Sequence, residues 1–164
     1  MKVEITGIKE FQTKISKLFS LTSDLRPLWE VFYSDILKDE KRIFQLQNKG
    51  EYKGKYADLK ETTKKAKIRA GVSAYPILVF SGKLASSLLN RSDADNIVDI
   101  TKTKFTYGTR NPYAFFLHKG TDFMPARPLW FVGEEENPAQ WKRFNRYIEA
   151  FLKKAVKGAF RGTV

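Results

Sequence analysis

Histidine is the side chain best suited to proton transfer near neutral pH, and this sequence contains one, His118. A serine hydrolase would have to build its catalytic triad around that imidazole, but the sequence contains no Gly-x-Ser-x-Gly elbow. One histidine is too few for the common zinc sites, and the absence of cysteine removes thiolate ligands and nucleophiles. We therefore predict that His118 is a structural residue that forms hydrogen bonds. A hydrolase built on it is the least supported alternative.

Two groups of carboxylates resemble parts of known sites. Asp93 and Asp95 have the spacing of the first ligands of a calcium-binding loop, but the later glycine and glutamate of that loop are missing. The run of three glutamates at 134–136 precedes a predicted helix, whose backbone dipoles favour negative charge there. No glycine-rich phosphate-binding motif is present. The sequence therefore predicts no enzyme, no cofactor and no metal ion.

Positive charge is the strongest feature of the composition, with 30 Lys plus Arg against 18 Asp plus Glu and a formal net charge of +12. The excess is concentrated in the stretches 49–69 and 142–161. In the first, Tyr52 and Tyr56 lie among lysines, which could combine phosphate contacts with base stacking. Such a surface favours nucleic acid or an acidic protein as partner, although a solvated helix face with a Lys-rich loop explains the residues equally well. The candidate binding residues in this stretch are Lys53, Lys55, Lys60, Lys64 and Lys67.

Length and composition predict one folded domain. The chain has 164 residues, 42% of them hydrophobic and 14% aromatic, which is ample for a packed core. Its first residues lack the apolar segment of a signal peptide, and no apolar run approaches the length of a membrane span. We therefore expect a protein that is made, and is kept or assembled, in a reducing cytoplasm.

Hydrophobic periodicity predicts three amphipathic helices of some length. The first follows Gly7, and the second is capped by Ser23 or Asp24 and fades near Gly50. The third follows Asn137-Pro138, and its apolar stripe consists of Trp141, Phe144, Ile148, Phe151, Leu152 and Ala155.

Shorter elements fill the middle of the sequence. A capping box of Asp58 and Glu61 predicts a surface helix over 59–70, Ser81 caps another, and Asn111 caps a third over 113–119. The segment 49–57 is expected to be an exposed, mobile loop because it has two glycines and little to bury. The expected extended segments are 2–6, 76–80, 96–100, 104–108 and 129–132, of which 96–100 and 104–108 form a hairpin.

These elements predict an α+β fold in which several helices pack on one face of a small antiparallel sheet. We expect a single domain over 1–164, without a linker or an internal repeat. It divides into an N-terminal helical region at 7–48, a core at 56–132 and a C-terminal helix at 137–158.

An ordered series of short motifs between Tyr56 and Val132 resembles the virion-morphogenesis or tail-completion family of tailed phages, which overlaps the neck proteins. The first aromatic residue of the series is usually Trp in that family and is Tyr56 here. The motifs are Tyr56-Ala57-Asp58-Leu59, Thr62 to Lys67, Pro76-Ile77-Leu78, Ser81-Gly82-Lys83-Leu84, Tyr113-Ala114, Gly120 and Pro125-Ala126-Arg127-Pro128.

The resemblance implies a structural protein of the virion neck or tail that joins head to tail and is assembled in the host cytoplasm. It implies a homo-oligomeric ring whose partners are connector, neck and tail proteins. The positive charge adds nonspecific contact with phage DNA to these expected partners, and the absence of a long apolar run predicts no membrane. The stiff segment between Pro125 and Pro128 should hold the Arg127 side chain at a fixed angle. Its guanidinium could then form an intramolecular salt bridge, bind a main-chain oxygen or contact the next subunit. The alternative function is a small nonspecific nucleic-acid-binding protein.

Overall fold

The structure, a computed structural model, describes residues 8–46, 56–129 and 137–161. The helices and strands follow each other as α1 (Ile8–Thr22), α2 (Arg26–Leu46), α3 (Glu61–Arg69), α4 (Lys83–Leu89), β1 (Asn96–Ile100), β2 (Phe105–Thr109), α5 (Pro112–Lys119) and α6 (Pro138–Phe160). The fold is α+β, as predicted. The predicted strand at 2–6, the loop positions 49–55 and the strand positions 130–132 lie outside the described residues.

The predicted hairpin is confirmed, with its second strand displaced by one residue. β1 and β2 pair antiparallel, from Asn96 opposite Thr109 to Ile100 opposite Phe105. Between them, the Thr101 N–H donates to the Lys104 carbonyl at 2.9 Å, which closes the turn. Across the described chain these two strands form the whole sheet, so most of the core is made by helices.

The long helix α2 begins where the capping residues predicted. Asp24 is the residue that caps it, because its carboxylate accepts the Arg26 N–H at 3.1 Å, and Pro27 lies in the first turn. The helix supplies apolar side chains to two adjoining clusters. Among the members of one cluster are Ile43, Phe44, Leu78, Leu84, Leu88 and Leu129, and the other consists of Leu28, Phe32, Ile36 and Phe144.

The second cluster joins α2 to α6. The rings of Phe32 and Phe144 stack with centroids 4.2 Å apart. Beside them the Arg143 guanidinium bridges two carboxylates of α2, with Nε 2.8 Å from Asp35 and Nη2 2.6 Å from Asp39. The C-terminal helix is therefore held by aromatic packing and by a half-buried ion-pair network.

The predicted apolar stripe of α6 is only partly buried. Phe144 and Ala155 are buried, whereas Trp141, Ile148 and Leu152 stay exposed. Helix α1 packs along α6 through residues such as Leu21, which lies against Gly158, and covers part of the stripe. Two amphipathic helices side by side thus leave apolar surface in water.

The predicted capping box at the start of α3 is wrong. The helix begins at Glu61, and the residue at its N-cap, Lys60, makes no side-chain cap hydrogen bond. The Asp58 carboxylate instead pairs with Lys64 at 2.9 Å and accepts the Tyr75 hydroxyl hydrogen at 2.8 Å. The nearby ammonium outcompetes the free amides of the helix for this carboxylate.

The apolar segment 76–80 is not extended. It forms a turn in which the Val79 N–H donates to the Pro76 carbonyl at 3.3 Å, and the Tyr75–Pro76 peptide bond is cis. Ser81 lies one residue before the N-cap of α4, although its hydroxyl oxygen accepts the first-turn Lys83 N–H at 3.4 Å. Gly82 occupies that position with φ of +79°, a conformation that a residue without a Cβ adopts at little cost.

Candidate functional site

Two neighbouring hollows, of about 410 and 420 Å³, form one groove on the side of the domain that carries α3, α4 and α5. The first lies between α4 and α5, and the second lies between α3 and the segment 121–128. Both are lined by the same four apolar side chains, which makes the hollows continuous. The shared residues are Leu78, Phe80, Leu117 and Met124.

Large aromatic side chains stand in water along this groove. Phe80 is 52% exposed, Phe116 50% and Tyr113 69%, while Phe123 reaches 87%. Isolated apolar side chains on a surface are ordinary, but a contiguous aromatic patch around a concave site is typical of an interaction surface. The groove is therefore the candidate binding site.

The walls of the groove are fixed by the ends of α5. The Asn111 side chain accepts the Tyr113 N–H at 3.1 Å, so the predicted cap is confirmed. At the other end Gly120 has φ of +76°, and a Cβ there would lie 2.7 Å from the backbone nitrogen of Ala126. A glycine is required at this position because the chain returns against it to carry the segment 121–128 past the helix.

Arg127 lies inside the subunit. It is 5% exposed, its Nε and Nη2 atoms lie 3.3 Å from the Ala57 carbonyl oxygen, and Nη2 lies 3.3 Å from that of Asp58. Of the three predicted partners for this guanidinium, the structure has the main-chain oxygens. Burial lowers the pKa of the Arg127 side chain. Arg127 therefore supports one wall of the groove from below.

Tyr56, like Arg127, links the chain at 56–58 to the segment 121–128. Its hydroxyl donates to the Pro128 carbonyl at 2.8 Å, and the residue is 2% exposed. We predicted that Tyr56 lies in an exposed loop, where its ring could stack on bases; the exposed position is wrong, and the buried ring is not available for stacking. The ring is instead part of the hydrophobic core, so the aromatic start of the motif series and its Pro-Ala-Arg-Pro end pack against each other.

The spacing of Lys60, Lys64 and Lys67, four and three residues apart, predicts one exposed cationic helix face, and the structure does not have it. Lys60 is exposed, but Lys64 forms ion pairs with Asp58 and Glu61. Lys67 is 1% exposed. Helical spacing had placed these three lysines on one solvated side, and the local chain covers the third of them. The candidates Lys53 and Lys55 lie outside the described residues.

Lys67 holds the loop that follows α3. Its ammonium donates to the carbonyls of Ala74 and Pro76 at 3.0 and 2.7 Å. Burial lowers the pKa of this side chain, because removal from water disfavours the charged form. The two carbonyl oxygens accept hydrogen bonds from the ammonium group, but because they are neutral they do not cancel its positive charge.

Positive charge exceeds negative charge along the groove. Its charged lining residues are four cations, Lys60, Lys67, Lys83 and Arg127, and one carboxylate, Asp58. Hydrogen bonds from Lys64 and Tyr75 are the main reason that the pKa of Asp58 falls to about 2, so this carboxylate stays ionised and engaged. Within the described ranges, none of the four lining cations forms an ion pair with a carboxylate.

His118 joins α5 to the segment that follows the groove. Its Nδ1 atom accepts the Leu129 N–H at 3.2 Å, which confirms the prediction that it forms structural hydrogen bonds. Because Nδ1 is an acceptor, a neutral ring carries its proton on Nε2. Residues 8–46, 56–129 and 137–161 contain no group of three or more His, Asp or Glu able to hold a metal ion. Nor do they contain a helix long and apolar enough to cross a membrane.

The groove residues that the sequence reading missed are aromatic. Phe115 and Phe116 are adjacent on an eight-residue helix, so both cannot face one core; each is at least half exposed, and of the two only Phe116 lines the groove. Phe123 stands in a turn between Gly120 and Pro125, where there is little to bury it. These signals were present in the sequence, but only the fold shows that the side chains line one groove.

Comparison with protein-family models, with curated proteins and with solved structures finds no match for this chain.

Proposed function

We propose that this chain is a bacteriophage structural protein that acts in tail completion, joining head to tail during virion assembly. The observation that carries the proposal is that the ordered motifs which resemble the tail-completion family converge on one groove. Parts of the Pro-Ile-Leu, Ser-Gly-Lys-Leu, Tyr-Ala and Pro-Ala-Arg-Pro motifs line it. The remaining signature glycine, Gly120, fixes the turn beside it.

The contacts that span the series support a common role for its motifs. Tyr56 and Pro128 are hydrogen-bonded although they are far apart in the sequence, and Arg127 holds the chain at Ala57 and Asp58. The buried polar residues therefore keep the walls in place, and the exposed aromatic residues are left for contact. Such a division between rigid support and apolar contact surface suits a protein that works by docking.

The proposed partners are connector, neck and tail proteins of the virion, together with further copies of this chain in a ring. An assembly protein works by presenting complementary surfaces and requires no catalytic group. The stacked helices α1 and α6, with exposed Phe19, Trp141 and Leu152, offer a second apolar surface away from the groove. Two separate contact surfaces allow one subunit to bind two different neighbours at once, as a joining protein must, and the surface of α1 and α6 is the one proposed for contact between copies.

Charge keeps nonspecific nucleic-acid binding as the alternative function. The exposed cations of α6 include Lys142, Arg146 and Lys157, which lie outside the groove. If binding of phosphates were the main function, the isolated protein should bind duplex DNA tightly even at physiological salt. If the protein acts in assembly, its binding to duplex DNA should be weak. The logarithm of the association constant should fall steeply as the logarithm of the salt concentration rises, because release of counterions drives the binding. Tight binding to duplex DNA of any sequence, persisting at physiological salt, would favour the alternative.

The assembly proposal is tested by removing the gene from the phage genome that encodes it. Full heads and finished tails should then accumulate separately in lysates viewed by electron microscopy, and a plasmid copy of the gene should restore joined particles. A copy carrying Lys154→Gln, a change at an exposed position outside the groove, is the matched control and should restore joining as well. Joined, infectious particles formed without the gene would contradict the proposal.

A further inference from the structure

We infer that the groove binds an acidic segment of another protein, with large apolar side chains in the two hollows and carboxylates paired with Lys60 and Lys83. The inference deepens the proposed function and rests on it only in treating the groove as a docking surface. It names the chemistry of the partner, which that proposal leaves open.

The charge of the groove is the first argument. Lys67 and Arg127 lie beneath its surface and bond to carbonyl oxygens, and within the described residues neither forms an ion pair, although the charge of Asp58 acts on Arg127. Buried cations are ordinarily paired with an anion, because charge is costly to remove from water. Between apolar walls, where the dielectric constant is low, their field is weakly screened and reaches the mouth of the groove.

The rim supplies the direct contacts. Lys60 and Lys83 are exposed on the lining of different hollows, and neither is engaged by a carboxylate within the described ranges. The nearest competitor, Asp58, is already held by Lys64 and Tyr75. The Lys60 ammonium has a long hydrogen bond of 3.4 Å to the neutral Phe123 carbonyl. Carboxylates that reach both ends of the groove therefore meet ammonium groups that are not already in ion pairs.

The apolar lining sets the remaining chemistry. Each hollow, at about 410 and 420 Å³, is within the range of pockets that enclose bulky groups. The wall formed by Leu78 and Phe80 contributes to both hollows, so a single bound segment can place one large side chain on each side of it. The partner therefore carries two aromatic or large aliphatic anchors flanked by Asp or Glu.

Charge complementarity favours a different protein over a second copy of this chain. A second copy would bring a net charge of +12 towards a groove that is itself positive. Nucleic acid would match the charge, but its phosphates give no reason for the apolar lining that both hollows share. An acidic peptide segment satisfies both the charges and the hollows.

The test selects binders from a random-peptide library displayed on yeast, with the folded protein as bait. We expect enriched peptides to contain Asp or Glu beside two large apolar residues. The most enriched peptide, labelled with fluorescein, should bind the double variant Lys60→Glu/Lys83→Glu about tenfold or more weakly, because rim charges steer and hold it. The pair Lys154→Glu/Lys157→Glu changes the net charge equally on exposed α6 positions outside the groove, and it should leave the Kd within about twofold.

The apolar part is tested with Phe123→Ala and Phe116→Ala, which remove exposed rings and so spare the fold, and with Phe19→Ala on α1 as control. The two groove changes should weaken peptide binding, and the control should not. The inference would be overturned if the library yields no acidic peptides, or if the groove pair and the control pair of charge reversals weaken peptide binding equally. Displacement of the bound peptide by duplex DNA would also overturn it. A second copy as occupant would appear as self-association abolished by Phe123→Ala, and would overturn it too. None of these measurements uses virions, so their failure leaves the gene-deletion result to judge the proposed function separately.

Discussion

Arg127 and Lys67 show how single side chains decide the local structure around the groove. Each extends beneath the surface to carbonyl oxygens of a segment that has no regular secondary structure. A hydrogen bond to a charged group contributes about 1.5–3 kcal/mol, so a long cationic side chain that bonds to two carbonyls stabilises a segment without regular secondary structure. Both side chains therefore stabilise the local fold through hydrogen bonds. This contribution is distinct from the electrostatic attraction of their charges for a ligand.

We predict that Arg127→Lys lowers the free energy of unfolding by about 1–3 kcal/mol. An ammonium keeps the charge, but it lacks the planar fork that reaches the carbonyls of both Ala57 and Asp58. Urea unfolding measures the change, with Arg69→Lys on the exposed end of α3 as a control expected to be neutral. Equal stability of the two variants would show that the forked contact is unimportant.

Glu40 is a buried acid with no role in the groove. It is 2% exposed, and its Oε2 atom has no hydrogen-bond partner in the described part of the chain. Burial first, and the neighbouring Asp39 second, raise the pKa of its carboxyl to about 8. The ring of Tyr107 on β2 lies close enough for its own pKa to be raised in part by Glu40.

This pKa predicts a stability that depends on pH. Between the ordinary value of 4.5 and the folded value of about 8, the folded protein keeps a proton that the unfolded chain has released. The free energy of unfolding should therefore fall as pH rises through that window, by up to about 1.4 kcal/mol per pH unit from this group. Glu40→Gln should remove this slope, so that the variant is the more stable protein near pH 8. Parallel pH profiles of wild type and variant in urea unfolding would contradict the assignment.

At the scale of elements, periodicity and capping predicted most of the helices and the hairpin. Asp24, Asn111 and Asn137 each accept a first-turn N–H of the helix that follows, because short polar side chains satisfy those amides. The prediction failed in the segment 58–82. Long-range bonds there, from Lys64 and Tyr75 to Asp58, override the local signal of the capping box. No pattern along the sequence reveals a bond to a residue that only folding brings near.

Because Lys67 is buried, reversing its charge tests the stability of the fold and not the binding of a partner. Lys67→Glu would place a carboxylate against the carbonyls of Ala74 and Pro76, so we expect it to destabilise the fold by about 3 kcal/mol or more. Lys65→Glu, on an exposed position of the same helix, should change stability by less than about 0.5 kcal/mol. Thermal unfolding compares the two. A Lys67→Glu protein as stable as the Lys65→Glu protein would contradict the buried position of this ammonium.

The contact between α2 and α6 depends on Arg143. Replacement by Met keeps most of the volume but leaves the nearly buried carboxylates of Asp35 and Asp39 without their cation. We expect a loss of about 3 kcal/mol in the free energy of unfolding. Arg146→Met, which removes an exposed guanidinium from the same helix, is the matched control and should be nearly neutral. The account of this interface fails if the two variants unfold at the same urea concentration.

For the whole molecule, the sequence predicted the fold class and the motif residues, but not how they combine into a site. Charge counting pointed to lysines, and of those described only Lys60 is an exposed lining residue without an ion pair. Arg127 was chosen for its proline neighbours, and it is structural. The exposed aromatic residues of the groove come from three separate segments, so their proximity is a property of the tertiary structure alone. The sequence gives the type of each residue, but whether its side chain is buried or exposed to solvent depends on the tertiary structure.

Labelling of purified particles is the most direct measurement of the central claim, that this chain joins head to tail. If a phage encodes the chain, as we propose, particles of that phage would be incubated with gold-conjugated antibodies against the chain and viewed by electron microscopy. The account predicts label confined to the neck or the adjoining end of the tail, and its loss from isolated full heads. A chain absent from the particles, or label on the released DNA and not at the junction, would contradict it.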